Sequence, residues 1–214
     1  MDLPHNDMVM NFFVATADLG FFSYLIFMLI GGVLTVCVQS SVAIMAITMI
    51  LCSTGVADIY QGIALVLGEN IGTTITSNIV ALKANPSARR AALSHLTFNL
   101  FGVCWVLLVF RPFITMVCKI VGYDTTADVS QDPNAAERIN YALCAFHTAF
   151  NVCNVLILVW FIPLLERFVC KIISGGEEDE DMRLRFISGG LLSTAELSLL
   201  EARNENNHLA HRAH

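Results

Sequence analysis

A stretch from Leu19 to Ala57 carries no charged side chain, and Gln39-Ser40-Ser41 sits at its middle. As one helix rising 1.5 Å per residue it would measure about 58 Å, roughly twice the hydrocarbon thickness of a bilayer. The stretch must therefore break or turn back, and the polar triplet is where it does so. A second interruption, Gly68-Glu69-Asn70-Ile71-Gly72-Thr73-Thr74, divides the next apolar segment. A membrane interior tolerates such breaks only where they are buried in protein or line a cavity. The two breaks are thus the candidate binding elements of the chain.

Composition supports a membrane reading. Of 214 residues, 56% are hydrophobic and 14% are charged, a balance that belongs to the membrane class rather than to a soluble core. Asp2, His5, Asp7 and Asp18 at the start do not form the basic opening of a secretory leader, so no cleavable leader is expected. The net charge of -6 includes the run Glu177-Glu178-Asp179-Glu180-Asp181 and argues against nucleic acid as a partner. Cys37, Cys52, Cys104, Cys118, Cys144, Cys153 and Cys170 form no C-x-x-C pair. They read as packing residues, with no disulfide frame and no metal site beyond a transported ion.

The expected architecture is all-α and membrane-integral: a helical hairpin, a discontinuous helix and two further membrane helices. The hairpin arms run from Leu19 to Val38 and from Val42 to Ala57, and Gly20, Gly31, Gly32 and Gly55 suit close approach of the two arms. Ile59 to Leu82 reads as one helix broken near Gly68 to Thr74. Ala91 to Phe110 is a membrane-length helix, and the last long helix extends from Ile139 to about Leu165. Lys83, Arg89 and Arg90 in one turn, and Arg167 and Lys171 at the far end, place those ends in the cytoplasm by the positive-inside rule. The N-terminus, the Gly55 turn and the acidic connection from Gly122 to Arg138 then lie outside, although Arg111 and Lys119 oppose this count. Ser193-Thr194-Ala195-Glu196 has the form of a capping box opening a terminal helix. The expected division is residues 1–18 as an external segment, 19–173 as the transmembrane repeat, and 174–214 as a partly helical cytoplasmic tail.

If Ser40 and Ser41 open the second arm, their backbone N–H groups are unsatisfied donors at a helix N-terminus, where donors and dipole favour an anion. The alternative is that Gln39 and the serines hydrogen-bond neighbouring helices as glue. At the second break, unwound carbonyls with Asn70, Thr73, Thr74, Thr76 and Ser77 oxygens can hold a monovalent cation, in the manner of transporter helices broken near the midplane. Glu69 is a carboxylate at this depth, and reads either as functional or as a helix cap. His95-Leu96-Thr97-Phe98-Asn99 and His147-Thr148-Ala149-Phe150-Asn151 share an H-x-x-F-N pattern. Each His and Asn lie on one helix face, continued by Gly102 and Asn154. Paired packing contacts are the first reading of these faces, and metal binding or proton relay the sharper one.

In order and spacing, Gln39-Ser40-Ser41-Val42 and Gly68-Glu69-Asn70-Ile71-Gly72-Thr73-Thr74 resemble the Q-S-S-S tip and G-x-N-I-G-T-T break of the type II sodium/phosphate cotransporters. The resemblance covers Gly20 to Lys171 and looks like the second of that family's two repeats, with the tail similar to the start of a PhoU-like helical domain. It implies phosphate near Gln39, Ser40 and Ser41, and sodium contacts from the tip with Asn70, Thr73 and Thr74. It further implies a second inverted repeat or second copy of the chain as partner, a multi-pass location in the cell membrane, sodium as coupling ion and no other cofactor. Val42 departs from the pattern, standing where the family has a third serine. The expected function is sodium-coupled symport of inorganic phosphate, not enzymatic catalysis. A sodium/carboxylate symporter and a transport-incompetent structural or regulatory subunit are the rivals. One copy of each motif is consistent with a fragment, a natural half that dimerises or a degenerate product.

Overall fold

The computed structural model describes residues 7–17, 19–127, 129, 133–174, 199, 202–204 and 206. It divides into two compact units, Met1–Ser174 and Gly175–His214. Among the described residues of the second unit, Leu199, Ala202, Arg203, Asn204 and Asn206 are helical. The capping-box residues Ser193 and Glu196 lie outside the described residues, as do the acidic run and the opening residues up to Asn6.

The described part of the first unit is helical throughout its regular elements. In chain order these are α1 (Asp7–Ala17), α2 (Phe21–Val38), α3 (Ser41–Ser53), α4 (Ile59–Ala81), α5 (Pro86–Leu108), α6 (Phe110–Val121), α7 (Pro133–Leu158) and α8 (Ile162–Ile172), with a 3-10 turn over Val159–Phe161 between the last two. Four segments are long and apolar enough to cross a bilayer: Phe21–Val38, Ile59–Ala81, Pro86–Leu108 and Asn134–Ile172. At 13 residues, α3 is in the range of re-entrant segments. The chain is an all-α membrane protein.

The hairpin turns where the polar triplet predicts. Gln39 adopts φ 56° in the left-handed region, and its N–H donates to Thr35 O at 2.8 Å, closing α2. Ser40 is extended and caps α3, its Oγ accepting from Ala43 N at 3.3 Å. The glycines serve a different contact from the one expected. A Cβ on Gly31 would collide with the Leu65 carbonyl oxygen, and one on Gly68 with that of Met28. One on Gly72 would stand 2.6 Å from Gly32 O. Gly31, Gly32, Gly68 and Gly72 therefore bring α2 against α4, backbone to backbone, rather than α2 against α3.

That contact also corrects the expected break in the next helix. α4 runs without interruption from Ile59 to Ala81. Gly68 and Gly72 are small because α2 lies on them, and the hydroxyl residues that follow bond within the helix. Thr73 Oγ1 donates to Glu69 O at 2.9 Å, Thr74 Oγ1 to Ile71 O at 2.7 Å, Thr76 Oγ1 to Thr73 O at 2.8 Å and Ser77 Oγ to Thr73 O at 3.0 Å. This back-bonding satisfies polar side chains without unwinding the backbone. At its start, Asp58 and Gln61 form a reciprocal capping box.

Two proline positions set the remaining boundaries. Expected to end at Phe110, α5 ends at Leu108, and α6 begins at once with Phe110-Arg111-Pro112. Expected to continue to Leu165, α7 gives way to Phe161-Ile162-Pro163 and α8. A proline inside a helix removes a bond and clashes one turn back, so each long helix must restart there. Both short helices end alike, in Val117-Cys118-Lys119-Ile120 and Val169-Cys170-Lys171-Ile172. The α5–α6 and α7–α8 pairs thus repeat one pattern, from H-x-x-F-N through F-x-P to V-C-K-I, and they run in opposite directions. Gly102 of α5 meets the corresponding residue of α7, Asn154.

Arg111, which opposes the charge count, is held by aromatic rings. Its Nη2 donates to Tyr24 Oη at 3.0 Å and its guanidinium lies 5.4 Å from the Tyr60 ring centroid, an arrangement that attracts a cation to the ring face. In the connection beyond α6, hydrogen bonds from the Thr126 backbone N–H and hydroxyl hold the Asp124 carboxyl below the usual carboxylate range. The α2–α4 contact yields an ordered prediction for thermal unfolding in detergent. Gly68→Ala and Gly31→Ala cost about 1–3 kcal/mol by overpacking against backbone. Gly32→Ala, whose Cβ would stand 3.3 Å from Gly68 O, costs less; equal losses at all three positions would contradict this packing.

Candidate functional site

The tip of the hairpin lies beside the C-terminal part of α4. An open cleft of about 500 Å³ is lined by Val36, Gln39, Thr76, Ser77, Ile79 and Val80. The order of the α2–α4 contacts, Gly31 with Leu65 and then Thr35 with Gly72, shows these helices running in the same direction, with Gln39 and Thr76 further on lining one cleft. Conversely, α3 runs back along α4: Cys52 and Thr48 meet Gly62 at the other end. Carried along both helices at about 1.5 Å per residue, this register brings Ser41 level with the turn from Glu69 to Thr73. Gly62, Glu69, Thr73 and Thr76 recur at helical spacing on the face of α4 that packs on α3 at Gly62. The tip is therefore near the end of the bundle, one to two turns short of the end of α4.

Several donors are uncommitted at this tip. The Gln39 amide, the Ser41 hydroxyl and the Ser41 and Val42 backbone N–H groups make no hydrogen bond to the described residues, whereas Ala43 N is taken by the Ser40 cap. Gln39 is exposed, Ser40 and Ser41 are half-buried, and the Val42 side chain is 78% exposed. A non-glycine residue in the left-handed conformation costs roughly 1–2 kcal/mol, and such strain persists only where the surroundings demand it.

One turn below, the polar residues are buried. Glu69 is 2% exposed and its Oε2 has no hydrogen-bond partner among the described residues; Asn70 Nδ2 also has none. Buried polar atoms are nearly always bonded, so adjacent orphans mark a place where a further group belongs. Thr74 is fully buried, while Asn70, Thr73, Thr76 and Ser77 are half-buried. Coordination by unwound carbonyls is not available here, because the helix is intact; hydroxyl and amide oxygens remain.

The histidine motifs do not join this group directly. His95 is exposed and His147 half-buried, and Asn151 Nδ2 donates to His147 O of its own helix at 2.9 Å. Asn99, by contrast, is buried and its Nδ2 reaches Asn70 O at 3.4 Å, a long contact from α5 to α4. The two motif faces meet one turn further on. Asn154, fully buried, donates to Phe98 O at 3.0 Å and accepts from Trp105 Nε1 at 3.3 Å. Gly102 leaves the room for it. Sequence reasoning named Asn154 only as a continuation of a face; its role depended on knowing that Gly102 lies opposite.

A helical hairpin whose second arm is capped by Ser40 lies along a polar face of α4 in an all-α membrane protein. Residues 23–121 match the family described as Na+/Pi-cotransporter. YqeW of Bacillus subtilis, an uncharacterized protein, is 35% identical over 141 residues, covering 66% of this chain and 40% of the relative. YjbB of Escherichia coli K12, named as a candidate inorganic phosphate export protein, is 29% identical over 179 residues, covering 83% of this chain and 30% of the relative. Mouse sodium-dependent phosphate transport protein 2C is 39% identical over 95 residues, covering 42% of this chain and 16% of the relative. The chain spans well under half the length of these relatives. No solved structure matches it.

The Gln39 geometry separates conformational strain from ligand contact. In thermal unfolding, Gln39→Gly is expected to match or exceed the parent by about 1 kcal/mol, because glycine adopts the left-handed conformation freely. Ser40→Ala is expected to lose about 1 kcal/mol with the cap. A destabilised Gln39→Gly would show that the amide is structural glue.

Proposed function

We propose that the chain contributes one repeat of a sodium-coupled inorganic phosphate symporter in the cell membrane, with residues 19–173 as the transporting repeat and 174–214 as a cytoplasmic tail. The observation that carries this reading is the hairpin tip, with uncommitted donors, set against the hydroxyl-rich end of α4 across one cleft. Phosphate is held by Gln39, the Ser41 hydroxyl and the Ser41 and Val42 N–H groups, at the positive end of the α3 dipole. Without a formal positive charge at the tip, binding is strong enough to select an oxyanion and weak enough to release it.

Sodium enters as cargo on the oxygen side of the same cleft. The oxygens of Thr73, Thr76 and Ser77, whose hydrogens are spent on helix carbonyls, present lone pairs to a cation, and Asn70 and Thr74 extend this set. Glu69 supplies negative charge beside it and is the residue whose buried, unpartnered oxygen most needs a cation. Neighbouring phosphate and sodium each lower the cost of bringing the other out of water, which is the physical basis of coupling. A second, inverted repeat or second copy closes the other side of the site. The names of the mouse and Escherichia coli relatives, sodium-dependent transport and phosphate export, support the substrate class and leave the net direction to the gradients.

The test is labelled-phosphate uptake by proteoliposomes containing the chain together with its complementary repeat. Sodium-dependent uptake is expected, inhibited by arsenate and not by succinate; succinate inhibition would support a carboxylate carrier, and sodium-independent uptake would reject the coupling. Ser41→Ala is expected to raise the phosphate KM about 10-fold, in line with loss of about 1–2 kcal/mol from a hydrogen bond to a charged group, with thermal stability unchanged. Val42→Ser, which restores a hydroxyl beside the tip, is expected to lower it. Glu69→Gln is expected to weaken sodium dependence while phosphate selectivity is retained.

A further inference from the structure

A second cleft, which shares Ile79 with the one at the hairpin tip, joins two chemistries that seldom meet by chance. It measures about 340 Å³ and opens between the end of α4, the first half of α5 and the end of α8. Its walls are aliphatic, formed by Ile75, Ile79, Leu82, Leu93, Leu96 and Ile172, and Arg89 stands among them. Ile79, Leu82 and Ile172 are exposed, so no part of the described chain covers this trough.

The polar groups around it have distinct roles. Asn78 does not offer its amide hydrogens, which bond Thr74 O and Ala92 O, each at 2.8 Å. Arg90 Nε donates to Ile173 O at 3.1 Å, tying α5 to the end of α8 and closing one end of the trough. Arg89 and Lys83 are exposed, and Lys171 ends α8 at the same end of the bundle. Residues 79–96 and 167–174 contain no Asp or Glu. Among the described residues the charged side chains at this rim are basic, and the rim lies where the long membrane helices end.

We propose that this trough binds an anionic phospholipid, with an acyl chain along the aliphatic walls and the phosphate at Arg89 and Lys83. Free phosphate would leave the aliphatic walls bare. A neutral lipid would leave the cationic rim without a partner. Basic pockets between membrane helices recognise anionic headgroups for this reason, each charge contributing on the order of 5-fold in affinity. Arg also keeps its charge in water while its aliphatic stem lies on apolar surface, as the position at a helix end requires.

The experiment is native mass spectrometry of the full chain released from nanodiscs of equal phosphatidylglycerol and phosphatidylcholine. The parent is expected to retain phosphatidylglycerol over phosphatidylcholine by about 5-fold or more. Arg89→Gln is expected to lose that preference, whereas Arg167→Gln, a cation outside the trough, keeps it. Leu96→Trp, which fills the trough without changing charge, is expected to reduce retention of both lipids. Equal retention of the two lipids by the parent, an undiminished preference in Arg89→Gln, or an equal loss in Arg167→Gln would overturn the proposal. So would displacement of the lipid by inorganic phosphate, which would assign Arg89 to a free anion.

Discussion

The backbone contact between α2 and α4 is the constraint on which the rest of the structure depends. Gly31, Gly68 and Gly72 leave no room for a methyl group where the two helices touch, so the helices have one register. That register sets Gln39 beside Thr76 and Ser77, and the left-handed turn at Gln39 then sends α3 back along α4. In lipid, helices gain little from burying apolar side chains against one another, and close packing of small residues takes over that role. The site is thus a product of glycines that never touch a ligand.

The α5–α6 and α7–α8 pairs form the scaffold around this core. Their matching F-x-P interruptions turn each long helix into a shorter one, and their opposed directions bring Gly102 and Asn154 together. Asn154 has partners within the scaffold, whereas Glu69 and Asn70 each keep an atom with no partner among the described residues. The contrast is physical. The Asn154 amide, with a partner on both its nitrogen and its oxygen, ties two helices together, and the open atoms of Glu69 and Asn70 are what the proposed cargo would meet. On this account, α4 carries both functions along its length: its glycine face holds α2, and its polar face, from Glu69 to Ser77, meets the tip.

Much of the fold was legible in the chain because the signals were local. Forbidden length forced a turn near Gln39, and the hydroxyl of Ser40 named the start of α3. What misled was the dual meaning of small residues. Gly68-Glu69-Asn70-Ile71-Gly72 reads as an unwound segment when taken alone, yet the glycines accommodate another helix and the threonines bond to their own carbonyls. Whether glycine marks a break or a contact depends on what lies opposite, which a single sequence does not state. Pro112 and Pro163 are local signals of a helix restart, and they account for α6 and α8. The candidate site followed the same division. Local chemistry names Gln39, Ser40 and Ser41 as candidates, while the placing of Gln39 on one cleft with Thr76 and Ser77, rather than with Asn70, depends on the register.

The central claim is that phosphate occupies the tip of the α2–α3 hairpin and that sodium promotes it. The most direct measurement is the rate at which a thiol reagent modifies Ser41→Cys, in a chain whose native cysteines are replaced and which is held in a membrane with its complementary repeat. The account predicts that phosphate slows modification in sodium and has little effect when potassium replaces sodium. Modification at the same rate with and without phosphate, in both ions, would contradict it.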